Sequence, residues 1–142
     1  MKKYAHMKKA PASEGDWFQT LLDLARFLRS PEGCPWDRKQ TAESFAKYVQ
    51  EESGELMEAF NEDDASVAEE WGDTLFTLLA SLAAAESEGR VNVNDVLEQT
   101  HAKMIRRHGH IFGEHEARTP EEVADVWKTI KAKEKESKKK PK

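Results

Sequence analysis

Prolines stand at positions 11, 31, 35, 120 and 141, so residues 36–119 carry none. Proline is the strongest helix breaker, and its absence over that span leaves the middle of the chain free to form long helices. Trp17, Leu21, Leu24 and Leu28 recur at helical spacing and predict a first amphipathic helix ending near Ser30, Pro31, Glu32 and Gly33. Thr41 is placed to cap a second, with Phe45, Val49, Leu56 and Phe60 along one face. Residues 61–64 read as a polar connection, with Asp64 capping a third helix that runs to about Glu88 and is ended by Gly89. Val96, Leu97, Met104 and Ile105 suggest a fourth. Thr119, Pro120, Glu121 and Glu122 form a capping-box pattern with proline at the first helical position, opening a fifth. No segment sustains an alternation of period two. The expected fold is therefore all-α, a bundle of about five helices.

Residues 75–85 are apolar almost all the way round the third helix, so that helix must be covered on every side. A four-helix-bundle core completed by dimerisation does this most simply; a central helix in a monomeric bundle is the alternative. At 142 residues the chain is the size of one domain of typical length, about 150 residues. The expected division is a flexible segment over residues 1–15, one domain over 16–135 and a basic disordered tail over 136–142. The longest apolar stretch falls short of the roughly 20 residues needed to span a bilayer, and no apolar run follows the basic amino terminus. A cytoplasmic protein with no membrane partner is expected. A net charge of −5 argues against a nucleic-acid polymer as partner. The single cysteine, Cys34, reads as a reduced structural thiol.

Acidic residues number 27, so two of them three positions apart recur roughly five times by chance, and a lone Glu-x-x-Glu says little. Placement distinguishes Glu52 and Glu55. At about 100° per residue Glu52 points into the apolar stripe with Phe45 and Leu56, and Glu55 lies on its flank. A carboxylate there is costly unless partnered. Glu70 and Asp73 repeat the pattern on the third helix, beside Trp71, Thr74 and Leu78. No lysine or arginine sits among these positions. Four converging carboxylates make an oxygen cage for a hard divalent ion, Mg2+ first and Mn2+ next, whereas a ferritin-like di-iron site would need Glu-x-x-His. Gly54 and Gly72, inside the two acidic motifs, mark either a close second backbone or open back faces.

The blocks Gly33-Cys34-Pro35-Trp36-Asp37-Arg38-Lys39-Gln40-Thr41, Glu51-Glu52-Ser53-Gly54-Glu55, Glu70-Trp71-Gly72-Asp73-Thr74-Leu75-Phe76 and Lys103-Met104-Ile105-Arg106-Arg107-His108 occur in this order. Together they resemble the MazG nucleoside triphosphate pyrophosphohydrolases over residues 17–135. The resemblance implies a dimeric helical bundle that uses magnesium to convert nucleoside triphosphates to monophosphate and pyrophosphate. It implies metal ligation by Glu52, Glu55, Glu70 and Asp73, with Glu51 as the further glutamate of an E-E-x-x-E motif. It also implies a basic and aromatic set at Lys103, Arg107, Trp127 and Lys131. Many relatives carry two such domains where this chain has one, and many read Arg-Arg-His-Pro-His where this chain has Gly109 in place of the proline.

The chemistry agrees: an acidic pocket takes a triphosphate through metal ions, with cations helping from the far side. Lys103 and Arg107, four residues apart, either meet the departing pyrophosphate or form an ordinary basic face. Trp36 and Trp127 either stack on a base or serve the core, and His108 and His110 either touch phosphate or support the local fold. The expected activity is metal-dependent hydrolysis of (deoxy)nucleoside triphosphates in nucleotide-pool housecleaning, with Glu51, Glu52 and Glu55 catalytic. A narrower dUTP, dCTP or damaged-nucleotide pyrophosphatase is one alternative. A non-catalytic helical dimer that binds nucleotide or a protein partner is the other.

Overall fold

A computed structural model of the chain describes residues 7–139. Among these the structure is all-helical, with α1 (Glu14–Leu28), α2 (Pro35–Lys39), α3 (Ala42–Ala59), α4 (Asp64–Ser87), α5 (Val93–Arg107), α6 (Gly109–Phe112) and α7 (Pro120–Lys139). Local chemistry sets the helix ends. Ser13 Oγ accepts from the Asp16 N–H at 3.2 Å and opens α1. Thr41 and Ser44 cap each other's backbone at 3.0 and 2.9 Å, a reciprocal box that opens α3. Asp63, not Asp64, caps α4, accepting from the Ser66 N–H at 2.8 Å, which lowers its pKa. Gly89, at φ +75°, ends α4 in the left-handed region glycine adopts without cost. At α7 the box is displaced by one residue: Thr119 accepts from Glu122 N–H at 3.2 Å, but Glu122 accepts from Arg118 N–H at 2.6 Å.

Two short helices were not expected. α2 places Trp36 on a helical turn begun by Pro35 rather than in a loop. α6 follows Gly109, whose place at the crowded turn has a steric reason: a Cβ there would lie 2.7 Å from the His115 ring. A proline, which carries a Cβ, would meet the same ring, so His115 and Gly109 form one packing unit. Gly33 is required by close approach. A Cβ on it would run into the backbone carbonyls of Phe27 and Leu28 at the end of α1.

The chain divides into two compact units, up to Val93 and from Asn94. In the first unit α4 packs against both α1 and α3. The deepest positions are largely alanines, Ala25, Ala59, Ala80, Ala83 and Ala84, with Leu22 and Phe45. Small side chains let helices approach closely, so α1 buries Leu22 and Ala25 and leaves Trp17 46% exposed, a turn of the face away from the one expected. Phe60, expected on the α3 stripe, instead caps that helix and is exposed. The bidentate Arg26–Glu86 pair, at 2.8 and 3.0 Å, ties α1 to α4. Of the all-round apolar segment, α1 and α3 cover most; Leu78 remains exposed.

In the second unit α6 packs on α7, where Val126 and Ile130 are buried with Gly109. The helix α7 runs through residues 136–139 of the expected tail, and residues 140–142 lie outside the described residues. At the other end α1 begins at Glu14, and residues 1–6 of the expected flexible segment are likewise outside them.

Candidate active site

On α3, Glu52 shares the inward side with Phe45 and Leu56, while Glu51 and Glu55 are exposed. On α4, Glu70 is partly buried and Asp73 exposed. Because α3 and α4 pack together, one carboxylate oxygen each from Glu52, Glu55 and Glu70 lie within 4.8 Å of one another. Asp73 falls outside that group of three, yet its charge acts on both Glu52 and Glu70. Burial, then the charge of Glu55, pushes the Glu52 carboxyl above the usual range. Burial, again followed by Glu55, does the same to Glu70.

Glu52 Oε2, Glu70 Oε2 and Thr74 Oγ1 are buried and have no hydrogen-bond partner. Among the described residues no ion pair reaches Glu52, Glu55, Glu70 or Asp73. Orphaned buried acceptors of this kind are rare in folded proteins, and an oxygen-only set suits a hard cation. Thr74 was not singled out as a site residue; its signal is the four-residue step from Glu70 on α4. Apart from the neighbouring residues and backbone of its own helix, nothing among the described residues lies within 4 Å of a Cβ built at Gly54 or Gly72, so among them both back faces are open.

Trp36 is half-exposed and packs edge-on to Phe45, with centroids 5.9 Å apart, and tilted against Tyr48 at 5.8 Å. Tyr48 precedes Glu52 by one turn of α3, a neighbour that the acidic pattern alone did not flag. In the second unit, Lys103 and Arg107 line one cavity, and Lys103 forms no ion pair among the described residues. Arg107 is engaged by Glu134, which also accepts from Arg106. Trp127 and Lys131 are not among the residues lining that cavity. Trp127 instead packs edge-on to His108 at 5.5 Å, and His108 Nδ1 donates to the Met104 carbonyl at 2.6 Å. His110 lies 5.6 Å from His108, ring to ring, with its own Nδ1 buried and unpartnered.

The model of the MazG nucleotide pyrophosphohydrolase domain matches residues 40–112, just over half of the chain, and takes in all four acidic positions. The chain belongs to the MazG family. A nucleoside triphosphate pyrophosphohydrolase/pyrophosphatase MazG of Thermotoga maritima is 42% identical over 126 residues, 88% of this chain and 48% of that protein. A nucleoside triphosphate pyrophosphohydrolase of Escherichia coli K12 is 38% identical over 120 residues, 83% of this chain and 46% of its own length. The chain spans about half the length, or less, of the curated relatives it matches. Among solved structures, a MazG-related protein from Thermotoga maritima superposes with a TM-score of 0.69 at 29% identity, covering 80% of this chain and 98% of that one. This likeness to a MazG fold agrees with the all-helical architecture.

Proposed function

We propose that this MazG chain, with residues 16–135 as its catalytic domain, hydrolyses (deoxy)nucleoside triphosphates to nucleoside monophosphate and pyrophosphate in a metal-dependent reaction. The observation that carries the reading is the convergence of Glu52, Glu55 and Glu70, with two of their oxygens buried and unpartnered. These residues and Asp73 would hold Mg2+, or Mn2+ in its place. Such an ion, when bound, supplies positive charge against both the carboxylates and the triphosphate.

Glu51, exposed beside Glu52, takes the proton of the water that attacks the α phosphorus. The bond from the α phosphorus to the bridging oxygen breaks, and the β and γ phosphates leave together with that oxygen and its electron pair. The resemblance assigns Lys103 and Arg107 to the departing charge. Trp36 offers its exposed ring to the base. Because every base has a π face, stacking of this kind favours broad rather than narrow base preference. Trp127 and Lys131 complete the basic and aromatic set. A homodimer accounts for the exposed apolar side chains Met57, Trp71 and Leu78, and the substrate class places the work in the cytoplasmic nucleotide pool. No helix of the described residues is long and apolar enough to cross a membrane.

A panel of canonical and modified nucleoside triphosphates, assayed with magnesium for pyrophosphate release, tests this. Turnover across several bases is expected; turnover of dUTP or dCTP alone would favour the narrow enzyme, and none at all the non-catalytic dimer.

A further inference from the structure

A threonine inside a helix commonly turns its hydroxyl back onto the carbonyl one turn earlier. Thr77 does so on α4, donating to the Asp73 carbonyl at 2.7 Å, and Thr129 does so on α7, donating to the Asp125 carbonyl at 3.1 Å. Thr74 has the same bond open to it at the Glu70 carbonyl and does not make it: its Oγ1 is buried and without a partner. One turn back on the same helix, Glu70 Oε2 is also buried and without a partner. Side chains four positions apart on a helix face each other, with Cβ atoms about 5–6 Å apart. A hydroxyl donor and a carboxylate acceptor thus stand side by side, both unsatisfied, although burial makes each costly to leave so.

A cation among the carboxylates would satisfy Glu70 but offers the hydroxyl proton nothing. A water satisfies both. It accepts the proton of Thr74 Oγ1, donates one of its own to Glu70 Oε2 and keeps the other for the carboxylate cluster. Buried waters need about two to four polar partners, and these groups supply them. We propose that Thr74 is a positioning residue: its hydroxyl holds a water against Glu70 Oε2, and that bridge fixes the Glu70 carboxylate in the orientation in which it meets a cation. Thr74 itself touches neither ion nor substrate. The positioning of a cation rests on the metal-dependent function proposed above; the water bridge does not.

The test is calorimetric titration of the full chain with magnesium, without nucleotide. Wild type is compared with Thr74→Val, which keeps the branched shape and loses the hydroxyl, and with Thr74→Ser, which keeps the hydroxyl. Groups that orient a metal ligand commonly contribute on the order of tenfold or more to metal affinity. Thr74→Val is therefore expected to bind magnesium about tenfold more weakly, and Thr74→Ser about as tightly as wild type. A threonine with a merely structural role would change the melting temperature and leave magnesium affinity alone. Unchanged affinity in Thr74→Val overturns the proposal, as does equal weakening in both variants. Should Thr74→Val not fold, the wild-type protein in EDTA decides by NMR: the Thr74 methyl group shows a nuclear Overhauser effect to a long-lived bound water, and its absence overturns the bridge. Wild-type protein that binds no magnesium sinks the metal-dependent function proposed above and the positioning role with it. Wild-type binding matched by Thr74→Val removes this inference alone.

Discussion

Glu52 on α3 and Glu70 on α4 each turn an oxygen into the same space and each keep an Oε2 that is buried and without a partner. Neither helix alone produces this. The i, i+3 acidic pair on each helix needs the α3–α4 packing to become one site. The folded state therefore carries an electrostatic cost that a bound cation would remove.

The cost is measurable as a pH effect. Burial holds the Glu52 carboxyl above its ordinary value, so ionising it costs more in the metal-free fold than in the unfolded chain. Its contribution falls as pH rises from the ordinary carboxylate value through the folded one, which is the direction for a raised acid. In EDTA at neutral pH, Glu52→Gln should melt at a higher temperature than wild type, and the difference should shrink toward pH 4. The same variant should lose at least tenfold in kcat with magnesium, about 1.4 kcal/mol of barrier. A variant that melts lower in EDTA and still turns over would remove Glu52 from the site.

Magnesium should stabilise the native protein by mass action, by about 1.4 kcal/mol when present at ten times its dissociation constant. Melts with EDTA and with millimolar magnesium provide the comparison. Glu52→Gln should show a much smaller shift. Equal midpoints for the wild type in both buffers would contradict the cage.

Asp63 and Asp64 are adjacent, and only the first reaches the Ser66 N–H. Asp63→Ala should lower the melting temperature more than Asp64→Ala does. Because the Asp63 pKa is lowered, its contribution is present above the ordinary carboxylate value and is lost as acid brings the pH down through the folded one. Equal effects of the two substitutions would place the cap elsewhere.

Gly54→Ala and Gly72→Ala should each stabilise by up to about 1 kcal/mol, since both glycines are helical and, their own helix apart, nothing among the described residues stands near the added methyl. Gly33→Ala should do the reverse, by about 2 kcal/mol or more, because backbone carbonyls occupy its space. Denaturant melts give all three values. Destabilisation at Gly54 or Gly72 would show that a second copy packs against that face.

The features legible in the sequence were those set by neighbours along the chain. The proline-free span gave the long helices, Thr41 its cap, Gly89 its stop, and Glu52 its place in an apolar stripe. What escaped depends on contacts between distant segments. Glu134 meets Arg106 and Arg107 from nearly thirty residues away, and no local pattern announces that. His115 reaches Gly109 through a turn whose course spacing does not fix. Asp63 and Asp64 are chemically equivalent caps, and only backbone geometry chose between them. The position of α4 between α1 and α3 rests on alanines, which carry too little hydrophobic signal to outweigh the larger side chains that drew the expected faces.

In the proposed reaction water attacks the α phosphorus and pyrophosphate leaves as one piece. Hydrolysis of a nucleoside triphosphate in water enriched with oxygen-18, followed by mass spectrometry of both products, should then place one labelled oxygen in the nucleoside monophosphate and none in pyrophosphate. Label in pyrophosphate would move the attack to the β phosphorus, and stepwise release of orthophosphate through a diphosphate would contradict the pyrophosphohydrolase reading altogether.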